Sequence, residues 1–248
     1  MRVPYDGAVI KPSSSSDVLV ESDAPLAERA YRRLRQAIVR CEFQPGQRLR
    51  VDELSKQYAL SSSPLREALS RLSEQGFVRA FENRGFRVAP LTVAGVADLT
   101  RMRLLVESEA LRDAIACGDD QWESRLVGAA HGLALIEQRL PEGPLILSEA
   151  WTAAHRDFHL AMYGGTSSPM LMDLVSSLFD SAERYRQFSA RHRKVERRKN
   201  SEHKKLVTTV LERDAEQAVA LLRQHISMTE RNVTAALLSM EAQGLLLQ

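Results

Sequence analysis

Residues 45–76 read PGQRLRVDELSKQYALSSSPLREALSRLSEQG, a short helical pattern, a tight turn and a second helical pattern with one apolar side. At 100° per residue, Leu65, Ala68, Leu69 and Leu72 gather into a narrow stripe. Arg66, Ser70 and Ser73 fall on the opposite side, and Ser61, Ser62 and Ser63 stand at the N-terminus. The spacing predicts a helix capped by Ser63, with Pro64 at the first helical position where no N–H is needed, and stopped by Gly76. Such a helix offers free N–H donors and a positive dipole end to a phosphate, while short hydroxyls and a guanidinium reach base edges or backbone. Ser61, Ser62, Ser63, Arg66 and Arg71 are therefore candidate DNA contacts.

Downstream, Phe77–Phe81 and Phe86–Ala89 are two β-type runs around Glu82-Asn83-Arg84-Gly85, a hairpin with a glycine turn. A hairpin after a helix-turn-helix is a wing, and Arg84 with Gly85 at its tip is placed to meet phosphate or the minor groove. Upstream, Leu26, Ala30, Leu34 and Ile38 mark a supporting helix, introduced by Asp23 and Pro25 and ended before Pro45-Gly46. The unit spans 23–90. A helical hairpin that merely packs is the competing reading, and charge argues against it. From residue 24 to 90 Lys and Arg outnumber Asp and Glu by thirteen to seven, whereas the whole chain carries only +2, so the remainder is acidic on balance.

These residues resemble the winged-helix domain of the GntR family of bacterial transcription regulators. Its members read P-G-x-x-L, then E-L-A, then S-R-T-P-V-R-E-A-L-x-x-L-x-x-x-G-L-V, then N-R-G-x-x-V. This chain has Pro45, Gly46, Leu49, Glu53, Leu54, Ser61, Pro64, Arg66, Glu67, Ala68, Leu69, Leu72, Gly76, Val78, Asn83, Arg84, Gly85 and Val88 in those places. One departure matters: Ser62 stands where the family usually carries an arginine that tends to read guanine, so the family's operator sequence does not carry over. The resemblance implies a homodimer on an inverted-repeat operator in double-stranded DNA, as a single winged helix would also need for tight binding.

The chain's 248 residues suffice for two domains with separate cores. Hydrophobic content of 44% with 27% charged residues is that of a soluble globular protein. No apolar run approaches membrane-spanning length, the N-terminus lacks a signal-peptide pattern, and Cys41 and Cys117 are too few and scattered for a disulfide framework. The expectation is a cytoplasmic protein with no membrane partner. Residues 1–22 read as a mobile arm and 241–248 as a C-terminal tail.

After Pro90 the strand signals stop. Helical periodicity predicts segments near 93–117, 120–138, 148–163, 168–189, 197–212 and 214–239, an all-α bundle of about six helices over 91–240. Thr92, Gly118 and the Asp214–Gln217 capping box mark boundaries, and loops fall at Arg139–Leu147 and Gly164-Gly165. The fold class is thus mainly α, a winged helix-turn-helix with a small hairpin followed by a helical bundle. Six histidines occur in the chain. His155 and His159, four apart, leave one face of a helix as a two-point metal site requires, and His203 and His225 sit on the last two helices. By itself that spacing is equally that of hydrogen-bonded core histidines. The basic run from Arg184 to Lys205 is interleaved with Glu183, Glu196 and Glu202 and reads as a solvated helix connection rather than a second DNA surface.

The bundle in turn resembles the FCD ligand-binding domain of the FadR-type branch of the GntR family, whose pattern is R-x-x-L-E, D-x-x-F-H, E-H-x-x-L and D-x-x-x-A-x(5-7)-H. Arg103 and Glu107, Phe158 and His159, Glu202, His203 and Leu206, and Asp214, Ala218 and His225 fall into those slots. In metal-binding members one Asp and three His are the ligands; here the Asp slot holds His155. The resemblance implies a divalent transition ion on His155, His159, His203 and His225, with zinc foremost and nickel or copper as alternatives. Four neutral imidazoles leave the ion its full charge, so a small organic acid is the expected effector, with Arg103 as a second anchor. Two other functions compete: a metalloenzyme activating water, and a dimeric interaction protein with a vestigial DNA module, motivated by Ser62. A repressor relieved by ligand is the reading preferred over both.

Overall fold

The computed structural model describes residues 24–82, 84–140, 147–192 and 201–243. The expected arm at 1–22, the centre of the 139–147 loop, residues 193–200 of the basic run and the end of the tail lie outside them. The chain divides into two compact units: one takes in the chain as far as Arg35 with Leu49–Phe86, the other Gln36–Arg48 with everything from Arg87 onward.

From the N-terminal side, α1 (Leu26–Val39) is followed by the short strand β1 (Arg48–Leu49), α2 (Val51–Tyr58), α3 (Ser62–Glu74) and the hairpin β2 (Val78–Phe81) and β3 (Gly85–Val88). The strands pair in the order β1-β3-β2. Strand β1 is missing from the sequence reading because two residues carry no alternation to detect. Leu65, Ala68, Leu69 and Leu72 are fully buried, as are Ala30 and Leu34 of α1, so the apolar stripe of α3 faces the interior; Leu26, expected to share it, is exposed.

Helix α3 begins earlier than its sequence suggests. Ser61, in extended conformation, is the N-cap, and Pro64 is the third helical residue. A first turn has no acceptors to offer its N–H groups, so proline is tolerated throughout it. At the other end the left-handed backbone of Gly76 (φ 75°) lets Gly76 N–H bond Ser73 O at 3.1 Å and Phe77 N–H bond Leu72 O at 2.9 Å. That paired closure stops the helix and turns the chain into the hairpin.

The second unit is a bundle of α4 (Val93–Cys117), α5 (Asp120–Arg139), α6 (Glu149–Tyr163), α7 (Pro169–His192), α8 (Ser201–Leu211) and α9 (Ala215–Ala242). Side chains of Thr92, Asp119, Ser148 and Asp214 accept from N–H groups of the first turns of α4, α5, α6 and α9. Helix α4 packs on α6, α7 and α9, and α9 also packs on α8. Leu111, Trp122, Leu126, Phe158, Met162, Val175, Val210 and Leu222 fill the main core. The Gly164-Gly165 bend exists for steric reasons: a Cβ on Gly165 would lie 2.7 Å from Ala114 O and 2.9 Å from Gly118 Cα. A second apolar cluster joins Cys41 and Leu91 to Val96, Phe188, Val233 and Leu237. Cys41 thus packs with residues of the bundle, in line with the grouping of 36–48 there.

Candidate nucleic-acid interface and metal centre

On α3 the buried leucines force the opposite face outward. Ser61, Ser62, Ser63, Arg66 and Ser70 are exposed at its N-terminal half, and Arg84 and Gly85 are exposed on the hairpin. The Ser61 side chain makes no cap bond, so first-turn N–H groups remain for an incoming anion. Arg71 differs from the others. It is half-buried, donates to Glu28 Oε2 at 2.9 Å, and lies with its guanidinium 4.0 Å from the centre of the Tyr31 ring. It ties α3 to α1, a role invisible without knowing that α1 returns beside it.

In the bundle, His155 and His159 on α6, His203 on α8 and His225 on α9 converge so that one ring nitrogen of each lies within 4.8 Å of the others. Three are buried and His225 is partly so. His155 stacks on Trp151 with ring centres 4.4 Å apart, and Phe179 lies against both His155 and His159. Burial pushes His155 and His159 far below the ordinary imidazole range, aided by Arg186 for the first and by His155 for the second. Burial, then His225, brings His203 to about 3. These imidazoles are neutral in the fold, the state in which they ligate metals. Nδ1 of His155 and both ring nitrogens of His159 have no hydrogen-bond partner among the described residues. A buried polar atom left unpaired costs about 1–3 kcal/mol, and a transition ion among these lone pairs would remove that cost. The donor set fits such an ion.

Arg103 is also buried, not solvent-facing as its arginine-rich helix allows. Its Nε donates to Glu107 Oε1 at 2.5 Å and Nη2 to Glu107 Oε2 at 3.2 Å, while Tyr163 O–H donates to Glu107 Oε2 at 2.7 Å. An effector carboxylate would therefore share a guanidinium that already has a partner. The sequence reading missed Arg186, which pairs with Glu183 at 2.7 Å and covers the Phe179 ring at 4.3 Å. Arg184, beside it, is buried too. The described part of the basic run is thus partly interior rather than wholly a solvated connection. Glu183, Arg186 and Gln187 share one face of α7, but exposed charges carry the same spacing, so the sequence holds no signal for it.

Two ties join the ends of the bundle's entering and leaving segments to these helices. Gln36 Nε2 donates to Glu149 Oε1 at 3.2 Å and Arg40 pairs with the same carboxylate at the start of α6. Arg184 on α7 donates to Ala89 O, and its own carbonyl accepts from Cys41 Sγ at 3.6 Å.

An exposed Ser/Arg helix backed by a wing defines a winged-helix regulatory protein. The chain belongs to the gntR family of bacterial regulatory proteins: that family's model matches residues 26–88, and the FCD domain model matches residues 98–228. It is 36% identical over 214 residues to the uncharacterized HTH-type transcriptional regulator BphR of Paraburkholderia xenovorans, covering 86% of this chain and 87% of that protein. It is 34% identical to the HTH-type transcriptional repressor GlaR of Escherichia coli, over 79% of this chain and 90% of that one. The solved structure of E. coli McbR/YncC shares the fold, with a TM-score of 0.69 at 18% identity over 85% of this chain and 97% of that one. The protein is a transcriptional regulator, and its relatives are regulators rather than enzymes. Among the described residues no helix is long and apolar enough to cross a membrane.

Proposed function

We propose that the protein acts in the cytoplasm as a homodimeric repressor that holds an inverted-repeat operator and releases it when a small carboxylate binds at a metal centre in the helical unit. The metal is zinc, nickel or copper on His155, His159, His203 and His225; Ser61, Ser62, Ser63, Arg66, Arg84 and Gly85 meet DNA. The observation that carries this reading is the four-imidazole cluster, with buried nitrogens on His155 and His159 that have no partner among the described residues, in the same chain as an exposed Ser/Arg helix.

Charge supports the effector class. Arg103 with Glu107 and Arg186 with Glu183 cancel pairwise, so four neutral imidazoles leave a divalent ion uncompensated and an anion is favoured beside it. Arg103 anchors that anion by the part of its guanidinium not given to Glu107. A metal held by the four histidines would polarise a bound carboxylate, and Arg103 would orient it. A shift of α6 or α7 on binding reaches Gln36, Arg40 and Ala89 through Glu149 and Arg184, and a coupling of about 1–3 kcal/mol would suffice for a 5- to 150-fold change in operator affinity. That one relative is a repressor agrees with repression as the default.

The test combines three measurements on purified full-length chain: metal content after chelator-free purification, a gel shift with the DNA upstream of its own gene over a salt series, and a thermal-shift screen of small organic acids. Stoichiometric metal, binding that weakens steeply with salt, and a melting temperature raised by an acid that also releases DNA are expected. Absence of metal that titration does not restore, or DNA binding indifferent to every acid, overturns it.

A further inference from the structure

The buried cluster raises the question of how a hydrated ion reaches it. Three of the four imidazoles are closed off, and the fourth, His225, keeps 19% of its side chain exposed. On that side, between α8 and α9, is a pocket of about 210 Å³ lined by Glu202, His203, Lys205, Leu206, Gln224 and His225. Glu202 is 46% exposed, and its Oε2 lies 3.2 Å from Nδ1 of His225. One carboxylate thus touches both solvent and the outermost ring of the cluster.

We propose that this pocket is the port through which the divalent cation enters, and that Glu202 captures the cation and holds His225 ready for it. The inference rests on the metal reading above. A carboxylate at the rim attracts a divalent cation and gives it a hard oxygen ligand as it sheds water. By accepting the Nδ1–H of His225, the same carboxylate leaves the Nε2 lone pair for the ion. Cation, carboxylate and the two lining imidazoles His203 and His225 then form a short path inward. Lys205 on the same rim opposes the cation, so its removal speeds entry.

Stopped-flow mixing of chelator-treated full-length protein with Co²⁺ tests this, read by quenching of Trp151, which stacks on His155. Glu202→Gln keeps an acceptor for Nδ1–H but loses the charge; it is expected to slow uptake about tenfold at low salt, a difference that shrinks as salt rises. Glu202→Ala loses the acceptor too and weakens equilibrium affinity a further 10- to 100-fold, the range for carboxylates behind ligating histidines. Lys205→Gln is expected to raise the uptake rate. Equal rates for the parent protein and Glu202→Gln at all salts, or a slowing that salt does not change, overturn the port. A parent protein that binds neither Co²⁺ nor Zn²⁺ overturns the metal reading itself, and the port with it.

Discussion

On α3 Arg66 is exposed, whereas in the bundle Arg103 is buried and Arg186 keeps only 11% of its side chain exposed. On the proposed function, the difference follows from what each region would bind. A DNA phosphate arrives from outside and brings its own charge, so its partners wait exposed and unspent. An effector that must move helices has to enter among them, and charges waiting there are costly unless neutralised beforehand. Glu107 and Glu183 do that neutralising, so on the proposed function Arg103 and Arg186 act as scaffold until an anion competes for them.

The largest effect should come from breaking that neutralisation. Glu107→Ala strands Arg103, whose side chain is only 5% exposed, at a cost of about 3–5 kcal/mol in urea unfolding. The double variant Arg103→Met, Glu107→Leu should recover most of it. A loss below about 1 kcal/mol, the range of a surface pair, would mean that the pair is not sealed and the contrast with α3 fails.

Acidification comes next. His155, His159 and His203 have folded-state values depressed by burial from an unfolded value near 6.5. Their contribution to stability is therefore complete above about pH 6.5 and is lost as pH falls toward the folded values. Because the unfolded imidazoles are already half protonated at about pH 6.5, each group withdraws about 1 kcal/mol between pH 6.5 and 5.5, so metal-free protein should lose up to about 3 kcal/mol over that window. Denaturant melts over that window check it, and a flat profile would place the imidazoles in contact with water. On the DNA side, Arg66→Ala should leave melting temperature and metal content unchanged while lowering operator affinity by about 1–3 kcal/mol, roughly 5- to 150-fold. His159→Ala should do the reverse.

The same contrast governs what the sequence could reveal. The exposed site was legible because its pattern is local: a period of 3.6 separates Leu65, Ala68, Leu69 and Leu72 from Arg66 and Ser70, and the glycines that end α3 and open β3 announce themselves. Helices α4 to α9 were legible for the same reason. The four histidines could be listed, but their meeting depends on α6, α8 and α9 converging, which only the family resemblance supplied. Arg186 and Glu183 left no trace among neighbouring charges, because a pair buried by tertiary packing is spelled like one in solvent. The tie of Arg71 to Glu28 was illegible for the same reason, since that partner is 43 residues away.

Arg71 therefore supplies the smallest expected effect and the sharpest contrast within one helix. Its guanidinium bonds Glu28 and covers Tyr31, whose O–H donates to Gln75 at 2.8 Å, so both residues fasten α3 to α1. The carboxyl of Glu28 is held below its usual range by Arg71 first and Arg32 second. Arg71→Ala leaves Glu28 its bond to Arg32 at 2.8 Å, so the loss should be about 1 kcal/mol, the sum of a half-exposed ion pair and a cation–π contact. Operator affinity should fall only a few-fold, and equally for specific and unrelated DNA, because the variant loosens the helix without removing a base contact. If Arg71→Ala instead matches Arg66→Ala in lost discrimination between operator and unrelated sequence, then Arg71 swings from Glu28 to DNA on binding, and the division between spent and unspent arginines does not hold even within α3.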